Sequence, residues 1–462
     1  MKSKLAKIFD FFFRVDKEER VKLLFLTASF FFVIGGYTVI KELKDSIFLS
    51  VVGKDYLPWA KIASMLILIP AIIFYSYLVD KIRRYQLLYF YSLLYGILCL
   101  IFAYLLGDPV IGINNTDASP YRFFGWFFYF FVEGYSPFVV SVFWAFANSI
   151  TSPEAAKKNY GLMVAGSKLG GMTTCAFAWF LFSCSIERIN LSPLAKHQLL
   201  LGISAIFLLF VPFLIYLLMK RVPGKYLHGY EAVYKVEKEK AKEKVGVFAG
   251  LKIILTQPYV LGIFSIIFFY EAIHAVLSYQ RLVFARDAAQ DISELSCILF
   301  QQIFMVHFFG FLLSFLGTNA LLRKFGERKC LLMVPIIVGG LLLFFVLNKS
   351  LNVLVAVFIL LRSLNYGLSY PLRESLYIPT VKDIKFKSKS WIDAFGSKFA
   401  KSFGSGFNII STHVFNSFGL SAFMMAQSVF FSFIVFSWII AAYLLGKRYQ
   451  KSIANNEVIG LT

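Results

Sequence analysis

What most constrains this chain is the recurrence, along nearly its whole length, of apolar runs about 20 residues long. Residues 23–40 carry no charge, and residues 123–150 carry one, Glu133. In hydrocarbon an unpaired peptide group costs several kcal/mol, so such runs cross a bilayer as α-helices that satisfy their own backbones. With 58% hydrophobic residues and 54 Phe, the chain has more apolar surface than a soluble domain can hide. An all-α polytopic membrane protein follows. Twelve transmembrane helices are expected, at 23–52, 57–79, 87–106, 121–149, 160–184, 197–219, 258–284, 298–322, 330–347, 351–378, 391–415 and 421–445.

The net charge of +21 first raises nucleic acid as a partner. Its distribution points to topology instead. Lys2, Lys4, Lys7, Arg14, Lys17, Arg20 and Lys22 precede the first span. Further basic groups recur at Lys81, Arg83 and Arg84, at Lys157 and Lys158, at Arg323 to Lys329, and at Lys382 to Lys389. The alternate connections are poor in Lys and Arg, which places both termini in the cytoplasm. The organisation reads as a cytoplasmic segment 1–22, a six-helix bundle 23–219, a cytoplasmic linker 220–257, a second six-helix bundle 258–446 and a tail 447–462. Within the linker, residues 231–244 alternate in sign, unlike a nucleic-acid arm. The lipid bilayer is a partner, nucleic acid is not, and a monomer is expected.

The two halves resemble each other. Asp80-Lys81-Ile82-Arg83-Arg84-Tyr85 and Arg323-Lys324-Phe325-Gly326-Glu327-Arg328-Lys329 resemble the basic loop found in both halves of the major facilitator superfamily. At an offset of 230, Gly166-Ser167-Lys168 meets Gly396-Ser397-Lys398, and Lys41 meets Glu271. Two pseudo-symmetric bundles follow, and in that fold the resemblance makes spans one, four, seven and ten the lining of a central cavity.

Charge inside the spans is where chemistry is expected, because a charged side chain near the bilayer centre costs roughly 2.5–3.5 kcal/mol even on the lenient scale. Span one carries Lys41-Glu42-Leu43-Lys44-Asp45-Ser46 between two apolar runs. Two readings are open: the helix ends at Ile40 and a loop follows, or the helix continues with Tyr37, Lys41, Lys44 and Phe48 on one face. Span four offers Glu133; span seven offers Glu271, His274 and Arg281; span ten offers Arg362, Asn365, Tyr366, Ser369, Tyr370, Arg373 and Glu374. On a regular helix Arg362 and Arg373 fall within about 20° of one stripe. Spans five and eleven add Lys168, Lys398 and Lys401, whereas spans three, six and twelve carry essentially no charge and should face lipid. The excess of Lys and Arg suits a phosphate- or carboxylate-bearing substrate. Tyr37, Tyr366 and Tyr370 are either packing aromatics or a platform for a planar base.

Catalysis finds no support. The order after Gly166 is wrong for a phosphate-binding Walker loop, and no nucleophile–base spacing stands out. Cys99, Cys175, Cys184, Cys297 and Cys330 lack metal-ligand or Cys-x-x-Cys spacing, so no metal, disulfide framework or cofactor is expected.

Three stretches resemble the ATP/ADP translocase family of plastids and obligate intracellular bacteria: Lys44-Asp45-Ser46; Phe146-Ala147-Asn148-Ser149-Ile150-Thr151 with Glu154-Ala155-Ala156-Lys157 and Tyr160; and Arg373-Glu374, Tyr377-Ile378-Pro379 and Lys387-Ser388-Lys389-Ser390-Trp391-Ile392-Asp393. The resemblance covers most of the chain. It implies a bacterial inner-membrane exchanger of ATP for ADP, with or without phosphate, or proton-linked uptake in some members. It places Lys44, Glu133 and either Lys387 or Lys389 at substrate-handling positions. Two departures stand out: a family glutamate of span seven falls at Ala275, with Glu271 one turn earlier, and Trp391 is bulkier than the family pattern. The substrate-binding set expected from residues and resemblance together is Lys41, Lys44, Glu133, Lys168, Glu271, His274, Arg362, Tyr366, Arg373, Lys398 and Lys401. Its alternative ligand is another anion: a different nucleotide, a nucleotide-derived cofactor or an organic carboxylate.

Overall fold

The computed structural model describes residues 17–151, 153–183, 191–224, 249–314, 318–348, 350–377, 379–380, 384, 388–455, 457 and 459–460. Most of the expected linker, the first 16 residues, Cys184, Lys349, Lys382, Lys385 and Lys387 lie outside these residues.

Fifteen α-helical segments are named here in chain order: α1 Lys17–Val51, α2 Leu57–Lys81, α3 Arg84–Leu105, α4 Phe123–Glu133, α5 Ser141–Ser149, α6 Pro153–Phe182, α7 Pro193–Arg221 and α8 Ala249–Thr256. They continue with α9 Pro258–Ala288, α10 Ile292–Leu312, α11 Thr318–Asn348, α12 Leu351–Leu364, α13 Tyr370–Leu376, α14 Lys389–Trp391 and α15 Ser397–Ala454. Three π-turns interrupt them, at Ser136–Val140, Asn365–Ser369 and Ile392–Gly396.

Two apparent long helices are broken by glycines that take a left-handed φ. Gly326 (φ 71°) divides α11 just before Glu327, Arg328 and Lys329, and Gly419 (φ 77°) divides α15. A straight α15 of 58 residues would run to roughly 87 Å, far beyond a bilayer, so the turn at Gly419 is required. Only glycine adopts that backbone without a Cβ penalty.

Among the described residues, nine helices are long and apolar enough to cross a membrane. The expected twelve and these nine part at α2 and α6, which are not among the nine, and at α15, which counts once although Gly419 divides it. α1 runs unbroken through Lys41 to Ser46, so the loop reading fails: the second apolar run is the last two turns of the same helix. Exposed apolar faces run along α3 (Leu93, Ile97, Leu100, Tyr104), α7 (Ile206, Phe213, Tyr216) and the end of α15 (Val429, Phe433, Phe436, Ile440). These are the charge-poor spans three, six and twelve.

The chain forms two compact units: Met1–Lys44, Pro70–Asn115 and Phe131–Lys244 make one, and Asp45–Ile69, Thr116–Phe130 and Val245–Thr462 the other. In the first, aromatic rings fill the core. Phe30 stacks on Phe143 at 4.5 Å, Tyr91 on Phe138 at 5.4 Å, and Tyr135 donates from its buried hydroxyl to the Val33 carbonyl at 2.8 Å. α6 lies close on α1 because small residues face it. A Cβ at Gly170 would sit 2.3 Å from the Phe31 carbonyl oxygen, and one at Gly166 2.4 Å from Thr27 Cγ2. Without a hydrophobic driving force between helices in lipid, such close approach is what binds them. The second unit uses the same device: a Cβ at Gly404 of α15 would sit 2.5 Å from the Ala272 carbonyl oxygen of α9. Buried amides add to it, with Gln427 donating to Gln280 at 3.0 Å.

Candidate substrate-binding site

In the first unit the site is built on one face of α1. Tyr37 stacks on Tyr135 at 5.0 Å with planes 19° apart, so Tyr135 covers one of its faces. One turn on, the Lys41 ammonium lies 3.2 Å from Glu42 Oε1. A further turn on, Lys44 Nζ donates to Glu133 Oε1 at 2.6 Å. Lys44 is 5% exposed and Glu133 20%. Glu133 reaches it because α4 ends there, and Gly134 and the π-turn Ser136–Val140 follow at once. Glu42, Asp45 and Ser46 are buried on α1, and Lys168 is half-buried on α6. A charge pair this dry holds only while both partners are present; deleting one of a buried pair costs about 3–5 kcal/mol.

The second unit gathers charge at two places. The first is between α9 and α15. Glu271 accepts from Ser397 Oγ at 3.3 Å, and its other oxygen is 3.7 Å from both His274 Nδ1 and Lys401 Nζ. Lys398, half-buried, follows Ser397 on the same helix. The second is Phe358 of α12. Arg281 lies 4.4 Å from its ring centre, Arg362 5.5 Å and the His274 ring 5.8 Å. Arg362 also donates to the Tyr366 hydroxyl at 2.6 Å, so rings four residues either side hold one guanidinium. Arg281, 1% exposed, donates to Gln302 of α10 at 2.8 Å. Phe358 and Gln302 escaped sequence reasoning, although Phe358 stands one helical turn before Arg362.

Arg373 is set apart from Arg362. It lines a cavity of about 20 Å³ with Asn365, Ser369, Tyr270 and Trp438, which Arg362 does not reach. The cause is the π-turn Asn365–Ser369 between the two arginines. An i→i+5 turn takes up an extra residue, so everything beyond it rotates by about one residue's step, roughly 100°. The shared stripe expected from a regular helix is lost. Arg373 instead lies 5.2 Å over the Tyr370 ring, next to Glu374, which pairs with Lys389.

The two π-turns are themselves related. Glu133 stands three residues before Ser136 and Arg362 three before Asn365. The two helices thus carry opposite charges at the same distance from a π-turn, each beside an unwound turn of the kind found at functional sites. Ala275, the departure in span seven, is explained by packing. Its Cβ is 2.9 Å from where a Gly404 Cβ would be, and its carbonyl accepts from Asn408. A glutamate there would meet α15. Trp391 packs its ring on Phe395 at 5.7 Å.

Helices of this length, with charge held in their apolar middles, are those of a polytopic membrane protein, and the fold is one shared with solved membrane transporters. Solved structures with this fold include a D-xylose–proton symporter (TM-score 0.61, 16% identical, covering 92% of this chain and 96% of that one). A bacterial homologue of the human lysosomal transporter Spinster aligns with a TM-score of 0.54 at 15% identity, covering 96% of this chain and 99% of that one.

The profile of the TLC ATP/ADP transporter family matches residues 1–111 and 121–449, and the chain belongs to that family. Its relatives include ADP,ATP carrier protein 4 of Rickettsia bellii, 24% identical over 97% of this chain and 94% of that protein. ADP,ATP carrier protein 1 of Rickettsia prowazekii is 23% identical over 96% of each.

Proposed function

We propose that this protein exchanges ATP for ADP across a bacterial inner membrane by alternating access, with twelve spans in two six-helix bundles, 23–219 and 258–446, and both termini cytoplasmic. The observation that carries the reading is the Lys44–Glu133 pair at 2.6 Å, an ammonium and a carboxylate held inside apolar helices at the positions of the family resemblance. Substrate phosphate competes with Glu133 for Lys44. Arg362, fixed between Phe358 and Tyr366, presents a planar fork matched to a second phosphate oxygen pair. Lys41, Lys168, Lys398 and Lys401 add mobile positive charge, with Glu271 and His274 setting how much of it is available. Tyr366 orients Arg362 through its hydroxyl. Arg373 lies beyond the π-turn and acts on the conformational change rather than on phosphate.

Exchange follows from the cost of moving charge. A carrier whose cations are stripped of their anion must close around them in low dielectric, whereas a bound nucleotide offsets that penalty. The Glu271–His274–Lys401 cluster favours a second reading, proton-linked uptake of the same anions, because a histidine 3.7 Å from a carboxylate is a pair through which a proton can pass. Proteoliposomes loaded with buffer or with ADP, and offered labelled ATP or labelled dicarboxylates, separate the readings. ATP entry driven by internal ADP supports exchange; entry driven only by an inward proton gradient supports the second reading. Entry of dicarboxylates without ATP contradicts both.

A further inference from the structure

Beyond α15 the chain meets the stretch that follows α13, at Pro379 and Thr380. After α15 finishes at Ala454, the Glu457 N–H donates to the Ser452 carbonyl at 2.9 Å, and its carboxylate lies 3.3 Å from Arg448 and accepts from Asn455 at 3.1 Å. Two residues on, the Ile459 N–H donates to the Pro379 carbonyl at 2.6 Å, and Ile459 forms a parallel bridge with Thr380. Its side chain is 6% exposed and belongs to the same apolar core as Leu376, Tyr377, Ile384 and Tyr449. A tail of this kind normally frays unless something ties it down. Here an ion pair, a main-chain bond and a buried isoleucine do so.

What the tail ties down is a segment with a hinge at its other end. α13 is seven residues long and follows the π-turn Asn365–Ser369 directly, and its second residue is Pro371, which has no N–H to return to the preceding turn. The far end of α13 is fixed by contacts from outside its own helix. The Tyr259 hydroxyl donates to the Leu376 carbonyl at 2.8 Å, and the tail holds Pro379 and Thr380. Between hinge and clamp lie Arg373 and Glu374, the latter paired with Lys389 of α14.

We infer that Asn455, Glu457 and Ile459 form a strap that latches the far end of α13, and that its release sets the rate of the conformational step in transport. The inference rests on the transport reading above. The strap bears on no substrate contact: it trades a few local bonds for the freedom of a hinged helix carrying two charges.

Ile459→Asp, which puts charge into the apolar seat, and a chain ending at Asn455 test it. Hydrogen–deuterium exchange of the purified protein in detergent reads the latch, and ATP/ADP exchange in proteoliposomes reads its consequence. Loss of a main-chain bond and a buried side chain predicts roughly tenfold faster deuterium uptake at residues 373–380, with α3 and α7 unchanged. Turnover is predicted to rise about threefold with KM within about twofold, since only the conformational step is altered. Unchanged deuterium uptake overturns the strap, and faster uptake with unchanged turnover overturns its control of transport. Should Ile459→Asp not fold, Glu457→Gln, which removes only the Arg448 ion pair, is read in the same two ways. A wild-type protein that moves no nucleotide overturns the functional reading instead, and deuterium uptake then decides the strap alone.

Discussion

Lys44 and Glu133 show what a buried charge pair asks of a membrane helix. Each is tolerable because the other is 2.6 Å away, with Lys44 5% and Glu133 20% exposed. Glu133→Ala is therefore predicted to destabilise the protein by about 3–5 kcal/mol, read as a lower midpoint in thermal unfolding in detergent. The double variant Lys44→Met/Glu133→Leu should recover most of that loss and still fail to transport, which separates folding from function. At Arg362 the expected effect is on activity. Arg362→Lys keeps the charge but loses the planar fork and its bond to Tyr366, and at least a tenfold fall in exchange is expected, since one charge-assisted hydrogen bond is worth about 1.5–3 kcal/mol. Full activity in Arg362→Lys would remove the fork from the account. These residues were legible in the sequence because charge inside apolar runs is rare. Their partners were less so: nothing in the local sequence says that Phe358 collects three basic groups, since a phenylalanine among 54 carries no signal by itself.

At the scale of elements, helix continuity and helix packing divide what could be read. Long apolar runs announced α1, α3, α7 and α9, whereas the continuation of α1 past Ile40 was one of two open readings that the helix itself decides. The π-turns could not be read, because one extra residue in a turn leaves the composition unchanged while rotating every later side chain. That is why Arg373 was expected on one stripe with Arg362 and is found lining a cavity with Asn365 and Ser369. Close helix contacts were equally silent, since a glycine in a span marks neither its partner nor its distance. Gly170→Leu in α6 should force α1 away, with a loss of about 1–3 kcal/mol in stability, because even a Cβ would lie 2.3 Å from the Phe31 carbonyl. Gly202, whose Cβ would meet nothing within 4 Å, provides the control: Gly202→Ala should unfold at or above the wild-type temperature.

For the whole molecule, the apolar runs were enough to reach an all-helical membrane protein and the three motif stretches the family, and the comparisons support both. Glu133 and Arg362 each stand three residues ahead of a π-turn, one an acid and the other a base. The direct test of this account is labelled ATP uptake into proteoliposomes with and without internal ADP, for the wild type and for Glu133→Gln. The account predicts that internal ADP stimulates wild-type uptake at least tenfold. Glu133→Gln, which keeps the shape but not the charge that competes for Lys44, should bind ATP more tightly and turn over more slowly. Equal wild-type uptake with and without internal ADP would contradict it.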